Sequence, residues 1–494
     1  MTTPYAGQYS VREAFEGSTV LITGATGYIG GLVLEQLLRV GRIGKAYLVI
    51  RTKKGESQQQ RLKTLLSGPV FRLHHGTDSF HQIMGKVEVI PGDLAQPQCG
   101  ISIANQKRLL PDVQYVIHAA ASIQFDNPIH TDLTLSYIAT KAIADFAAKM
   151  KKLRCFMYVS TAYSNAHLKK YSTVKEQLYP LREQDGQEVD HAAVVDRLLA
   201  MPVDEAQQEV QSVMKRLNFN HTNYGFCKNL TEQMLAGYHL NPFPVCISRP
   251  VSVGCVAKGP CPGYVGNTSG ATGIILSIAC GIGTFQSRTP NLPYTLVPGD
   301  VASSVIVASM AATAAGQGSQ KGPNITQSCT SCSNPISLRQ LTDHICEYYR
   351  QDPPSKDQFG DGKYEVHWTQ DLEEYERWWQ KGTTHTQQLA RQLEEEGRMK
   401  SAARVRTAWK VWRTWSNGGG ETGLRFDDSM VQHQLAPGLV DREKGNVLLT
   451  FTPEATGVSW PAYVHLYCAG AKQLFFHEKP KMPLQLEPVT LSSL

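Results

Sequence analysis

Long apolar runs are missing from this chain of 494 residues. The longest, around 274–282 and 305–315, fall short of the ~20 residues a membrane-spanning helix needs, so both are expected to be buried helices. The opening MTTPYAGQYSVREAF lacks the apolar core of a secretory signal. Paired cysteines are scarce as well. Of eleven, only Cys329 and Cys332 stand at a C-x-x-C spacing, and no second pair accompanies them. No metal site is therefore expected, and the cysteine usage suits a reducing, intracellular compartment. Charge of one sign is also scarce: 49 Lys and Arg against 43 Asp and Glu leave a net +6. That suits a small anionic ligand and gives no footing for nucleic acid. With 41% apolar residues and no low-complexity run, the chain reads as globular, and its length favours two units.

Glycine is concentrated where it carries chemistry. In VLITGATGYIGG, Gly24, Gly27 and Gly30 fall three apart, after an apolar strand and before an amphipathic helix. Such a turn lets backbone approach a ligand without a Cβ in the way, and the helix N-terminus offers N–H groups to a pyrophosphate. Further strand candidates follow at 46–50, 87–90, 113–118, 155–160 and 245–248, separated by helix-length intervals. This alternation predicts an α/β, Rossmann-type doubly wound parallel sheet. Ligands in that architecture gather beyond the carboxyl ends of the strands. Here those ends carry the glycines, Arg51, Asp93, His118 and Ser160-Thr161.

The end of the second strand bears on the choice of dinucleotide. An acid there would accept from a ribose 2′-OH, but this chain has Arg51-Thr52-Lys53-Lys54, which would attract a 2′-phosphate. NADP(H) is expected, although Lys53 and Lys54 also suit a plain solvated turn. In NYGFCKNLTEQML, Tyr224 and Lys228 stand four apart on a predicted helix and share a face. A lysine cation there is expected to lower the phenol's pKa and make it a proton donor or acceptor. Ser160 and Thr161 offer hydroxyls to a substrate carbonyl.

Together these motifs resemble the extended short-chain dehydrogenase/reductases. More narrowly, they resemble the alcohol-forming fatty acyl-CoA reductases with their male-sterility-type NAD-binding domain. The resemblance rests on TGATGYIG at 23–30, YLVIRTKKG at 47–55, GDL at 92–94 and IHAAASIQFD at 117–126. It continues in VSTAY at 159–163, NYGFCK at 223–228 and RPVSVG at 249–254. Thinner matches are PGYVGNTSGATG at 262–273, LVPGD at 296–300, NPISLRQL at 334–341, and Trp460, Tyr463 and Gly470 near the C-terminal end.

The resemblance implies a dinucleotide- and acyl-binding domain over 12–345, a polar helical insertion over 346–420 and a smaller, mainly helical C-terminal domain over 421–494. It implies that Thr23, Gly24, Thr26, Gly27, Tyr28, Ile29, Gly30, Arg51, Lys54, Asp93, Leu94, Ala119, Tyr224 and Lys228 hold NADPH. Catalysis would fall to Tyr224, Lys228 and Thr161, with Ser160 as backup. The implied substrate is long-chain acyl-CoA, reduced to the alcohol through an aldehyde. Two alternatives stay open: an aldehyde-forming reductase of CoA- or carrier-bound thioesters, and a non-catalytic NADP(H)-binding scaffold.

Two departures stand out. Ser136 occupies the position where the family has an asparagine in its proton relay. Within 350–420, Trp409, Trp412 and Trp415 recur every third residue among Arg404, Arg406, Lys410 and Arg413. That stripe suits either docking on the second domain or contact with a lipid surface. The run 417–420 reads as a flexible linker. Ser492-Ser493-Leu494 distantly echoes a peroxisomal address, leaving cytosol-facing, peroxisomal, endoplasmic-reticulum-surface and plastid placements open.

Overall fold

The apolar runs that end in small or polar residues assemble into one sheet. The computed structural model describes residues 7–53, 55–122, 124, 127–220, 222–266, 270–356, 358–416 and 423–481. Its seven main strands are β1 (Thr19–Thr23), β2 (Lys45–Ile50), β3 (Val87–Pro91), β4 (Tyr115–His118), β5 (Cys155–Val159), β6 (Val245–Pro250) and β7 (Asn324–Ser328). They lie in the order β7-β6-β5-β4-β1-β2-β3, every pairing parallel. The order reverses at β1, where Thr23 stands opposite both Val49 and His118. A crevice opens at such a reversal, beyond the strands' carboxyl ends.

Six strands fall on the expected runs. β7 does not: its sequence, NITQS, has a single apolar side chain, yet all five residues are buried. Its polar groups are held by neighbours. Asn324 donates to Thr313 Oγ1, and Gln327 donates to the carbonyls of Val174 and Asp427.

The helices used below are α1 (Tyr28–Arg39), α2 (Asn223–Ala236), α3 (Ala271–Ala279), α4 (Gly299–Ala314), α5 (Leu338–Gln351), α6 (Leu372–Glu395), α7 (Met399–Ser416) and α8 (Trp460–Ala471). The two longest apolar runs form α3 and α4, both largely buried. Among the described residues, no helix is long and apolar enough to cross a membrane.

The region after α5 is smaller and mostly helical, and it is tied to the sheet layer at several points. Tyr9 and the 438–440 segment exchange backbone hydrogen bonds. The buried Glu443 carboxylate accepts from Val11 N at 2.7 Å and from the Ser10 hydroxyl. Glu176 accepts from Gln327 N and Met430 N, each at 2.7 Å. Lys472 and Asp352, both buried, pair α5's end with the turn after α8.

α6 and α7 form a helical hairpin, and the tryptophan stripe is docked on protein. Trp412 is fully buried and donates to Phe285 O at 3.0 Å. Trp409 stacks on Trp379 with centroids 4.0 Å apart, and Trp415 is partly covered with Arg288 over its ring. The 285 strand packs on Trp409 and Trp412, which is the docked arrangement of the stripe. Lys54, Phe125, Asp126, the run 417–420 and Ser492-Ser493-Leu494 lie outside the described residues.

Candidate active site

The turn after β1 does what its three glycines suggest. Gly24 has φ +78°, and a Cβ there would stand 2.5 Å from Ala120 N, so the β4 end closes tightly on it. A Cβ on Gly27 would meet only the turn's own Gly24 O, at 3.2 Å. Gly27 therefore leaves its outer side open, and it starts α1 with no side-chain cap. Uncapped N–H groups beside an open glycine fit a pyrophosphate, so these residues fit a dinucleotide.

A cavity of about 420 Å³ lies against this turn. Its walls include Gly24, Gly27, Tyr28, Ile29, Gly30 and Ala119 from the β1 and β4 ends, Ser160 and Thr161 after β5, and Tyr224 on α2. Nine residues singled out in the sequence thus meet in one place. Lys228 is not on this wall; it lines a small adjoining cavity with Tyr224, Ser136 and Asp132. Thr23 is turned inward, with Oγ1 2.7 Å from His118 Nδ1. Asp93 accepts from Ala95 N, and Leu94 packs against the sheet's other face, so neither reaches the cavity wall.

Arg51 is exposed, 3.9 Å from Asp93 Oδ1. It has a companion that sequence reading passed over. Arg61 donates to Arg51 O and to Thr26 Oγ1, both at 2.7 Å, linking the β2 end to the glycine turn. Burial and the Arg51 charge both push Arg61's pKa down. Two cations held this close beside the turn would attract an anion.

The two hydroxyls after β5 face different partners. Ser160 donates to the buried Glu232 carboxylate. Thr161 accepts from Tyr163 N at 3.4 Å, which leaves its own proton to give toward the cavity. Trp415, read only as part of a stripe, forms part of the cavity wall.

Lys228 is buried, donates to Val159 O at 2.8 Å, and lies 4.4 Å over the Tyr158 ring and 5.7 Å over that of Tyr224. Burial pushes its pKa down to about 7, opposed by Glu232. Tyr224 departs from expectation. Burial, followed by the Asp132 charge, raises its pKa instead of lowering it, so the phenol keeps its proton at neutral pH. His118 is fully buried, stacked on Tyr158, and pushed down to about 3, chiefly by burial, so it is neutral. Ser136 lies 3.3 Å from both Tyr158 Oη and Thr231 Oγ1.

Asp132 carries no sequence signal beyond a short polar helix. It is 3% exposed; Oδ1 accepts from Asn127 at 2.8 Å, while Oδ2 has no hydrogen-bond partner among the described residues. Tyr224, Cys227 and Lys228 share its cavity. Burial lifts its carboxyl from 3.8 to about 6. A folded value above the unfolded one means the native state keeps a proton the unfolded chain loses, so stability falls as pH rises through that window. Asp132→Asn is expected to be about 2–3 kcal/mol more stable than the parent near pH 8, the gap narrowing toward pH 4. Urea titrations at both ends check this, and a gap independent of pH would refute it.

The sequence profile of the male sterility protein family matches residues 22–306. Fatty acyl-CoA reductase 1 of Rattus norvegicus is 29% identical over 484 residues, covering 95% of this chain and 87% of that protein. Fatty acyl-CoA reductase 1 of Mus musculus is 31% identical over 351 residues, which is 70% of this chain and 64% of that one, just under two thirds. In fold, the chain is similar to the terminal R domain from the myxalamid PKS-NRPS biosynthetic pathway, with TM-score 0.60, 17% identity, and coverage of 94% and 95%. The reductase domain of a non-ribosomal peptide synthetase from Mycobacterium tuberculosis gives TM-score 0.59, 18% identity, and coverage of 96% and 95%.

Proposed function

The chain belongs to the male sterility protein family, a family of reductases with an NAD(P)-binding fold, and on that ground we propose that it reduces long-chain fatty acyl-CoA to the primary alcohol with NADPH. The observation that carries this reading is the shared wall: an open glycine turn, the Thr161 hydroxyl and the protonated Tyr224 phenol face one cavity. The dinucleotide, when bound, supplies the hydride in each of two reductions.

This chain's residues do the rest. Thr161 donates to the thioester carbonyl oxygen and stabilises the negative charge that grows there. The tetrahedral oxyanion re-forms its carbonyl as the C–S bond breaks, so CoA leaves as the thiolate, takes a proton from solvent, and the aldehyde remains. In the second reduction Tyr224 gives its proton to the alkoxide oxygen. Lys228 stands behind it, ready to return positive charge to a site that has just lost a proton.

Purified protein supplied with palmitoyl-CoA and excess NADPH tests this. The expected result is fatty alcohol, with two NADPH consumed for each CoA thiol released. Aldehyde at one NADPH per thiol would favour the aldehyde-forming alternative. Dinucleotide binding without thiol release across a panel of acyl lengths would favour the scaffold.

The choice of NADPH rests on Arg51 and Arg61. Charge-assisted hydrogen bonds to a 2′-phosphate are worth enough that losing either guanidinium should raise the KM for NADPH about 10- to 100-fold. The KM for NADH should change little in Arg51→Ala and Arg61→Ala. Equal losses for both dinucleotides would refute the assignment.

A further inference from the structure

A second cavity, of about 380 Å³, lies between α3, α7 and the turn after α8. Its walls are mainly apolar: Leu276 on α3 and Cys280 just after it, Ala408 and Val411 on α7, and Phe475 and Phe476 beyond α8. We infer that this cavity takes the distal part of the acyl chain whose thioester sits between Thr161 and Tyr224, and so sets chain-length preference. The inference rests on the acyl-CoA reading proposed above.

One face of α7 runs past both cavities. The reaction cavity ends on Gly270 and Trp415, and the apolar one begins on Gly273 and Val411. Gly270 immediately precedes α3 and Gly273 lies in its first turn, while Val411 is one turn back from Trp415 on α7, so α7 presents one continuous face to both. The helices are in direct contact, with Ser277 Oγ donating to Ala408 O at 3.1 Å. Along α7 the lined face runs from Trp415 through Val411, Ala408 and Arg404 to Lys400. At 1.5 Å per residue that is about 22 Å. Half the hydrocarbon core of a bilayer, the depth filled by single long acyl chains, is about 15 Å. The wall is therefore long enough for the tail of such a chain.

The chemistry of the rim agrees. Among the described residues nine large apolar side chains are exposed, and two of them, Met399 and Leu474, stand directly before the lining residues Lys400 and Phe475. Lys400 and Arg404 add long methylene stems that cover apolar surface. A cavity with an apolar floor and such a rim suits an alkyl chain better than a polar ligand.

The test uses the full chain and a series of hexanoyl-, decanoyl- and palmitoyl-CoA. Burying each methylene is worth about fourfold in binding, so the parent's kcat/KM should climb with length. Val411→Trp fills the cavity. It is expected to lower kcat/KM for palmitoyl-CoA at least about tenfold, mainly through KM, and to leave hexanoyl-CoA within about twofold. Ala403→Phe, at the exposed outer end, should give a smaller loss confined to palmitoyl-CoA and serves if the first variant fails to fold. Equal losses at all lengths, or none at palmitoyl-CoA, overturn the inference. If the parent reduces no acyl-CoA, the catalytic reading fails by itself. Titration calorimetry with palmitoyl-CoA then decides the cavity: weaker binding by Val411→Trp supports it, and equal or absent binding overturns it.

Discussion

Tyr224→Phe will lower kcat/KM for reduction of the fatty aldehyde to the alcohol by about 100- to 10,000-fold, the range general acid catalysis supplies, while binding the dinucleotide as the parent does. The phenol stands on the wall of the reaction cavity, and its raised pKa keeps the proton in place at neutral pH. Removing one oxygen removes the only acid this reading assigns to the alkoxide. The ring, which forms part of the wall, remains. Dinucleotide affinity from fluorescence titration and kcat/KM from alcohol formation on supplied fatty aldehyde separate the two effects. A variant that keeps more than a tenth of the parent's kcat/KM would show that another group delivers the proton. A variant that loses dinucleotide affinity equally would make Tyr224 a binding residue.

That prediction also marks how far the sequence could be read. Glycines at a strand-to-helix turn, and strands ending in Arg51, His118 and Thr161, are local signals, and local signals placed the sheet and the crevice. The four-residue spacing of Tyr224 and Lys228 was also legible, because a helix puts such residues on one face. What the spacing does not encode is depth. Lys228 is drawn to Val159 O and the Tyr158 ring, and burial governs the Tyr224 phenol more strongly than the neighbouring amine does. β7 escaped because its pairing with β6 buries polar side chains that pattern alone assigns to a surface. Arg61 escaped because its role comes from folding back ten residues onto Arg51 O, and no periodicity announces that.

Ser160 and Thr161 show the same limit at closer range. The pair was legible; the division between them was not. It is set by Glu232, which lies four residues beyond Lys228 and so extends the Tyr224 face of α2 by another turn. In sequence a carboxylate at that place reads as solvated. In the structure it is fully buried, and it orients Ser160.

Glu232→Ala will cost about 3–5 kcal/mol of stability, the usual penalty for stranding one member of a buried ion pair. Arg249 and Glu232 are each 0% exposed; Nη2 lies 2.5 Å from Oε2 and Nε 3.0 Å from Oε1. Oε1 also accepts from Ser160 and, at 3.1 Å, from Ser164. Among the described residues Arg249 has one further acceptor, Gln177 O at 2.9 Å, so without Glu232 its charge stays buried and largely uncompensated. Replacing both partners by apolar residues removes the stranded charge as well as the pair. Glu232→Leu with Arg249→Met should therefore lose much less than the sum of the single losses. Urea midpoints for the two single variants and the double variant check this, and additive losses would refute it. The pair also reaches the chemistry. Glu232 holds the Lys228 pKa up against burial, so its loss shifts that amine toward the neutral form and releases Ser160. Activity measured well below both unfolding midpoints should consequently stay low in the double variant even where stability returns, because the packing can be repaired by apolar atoms and the charge beside Lys228 cannot.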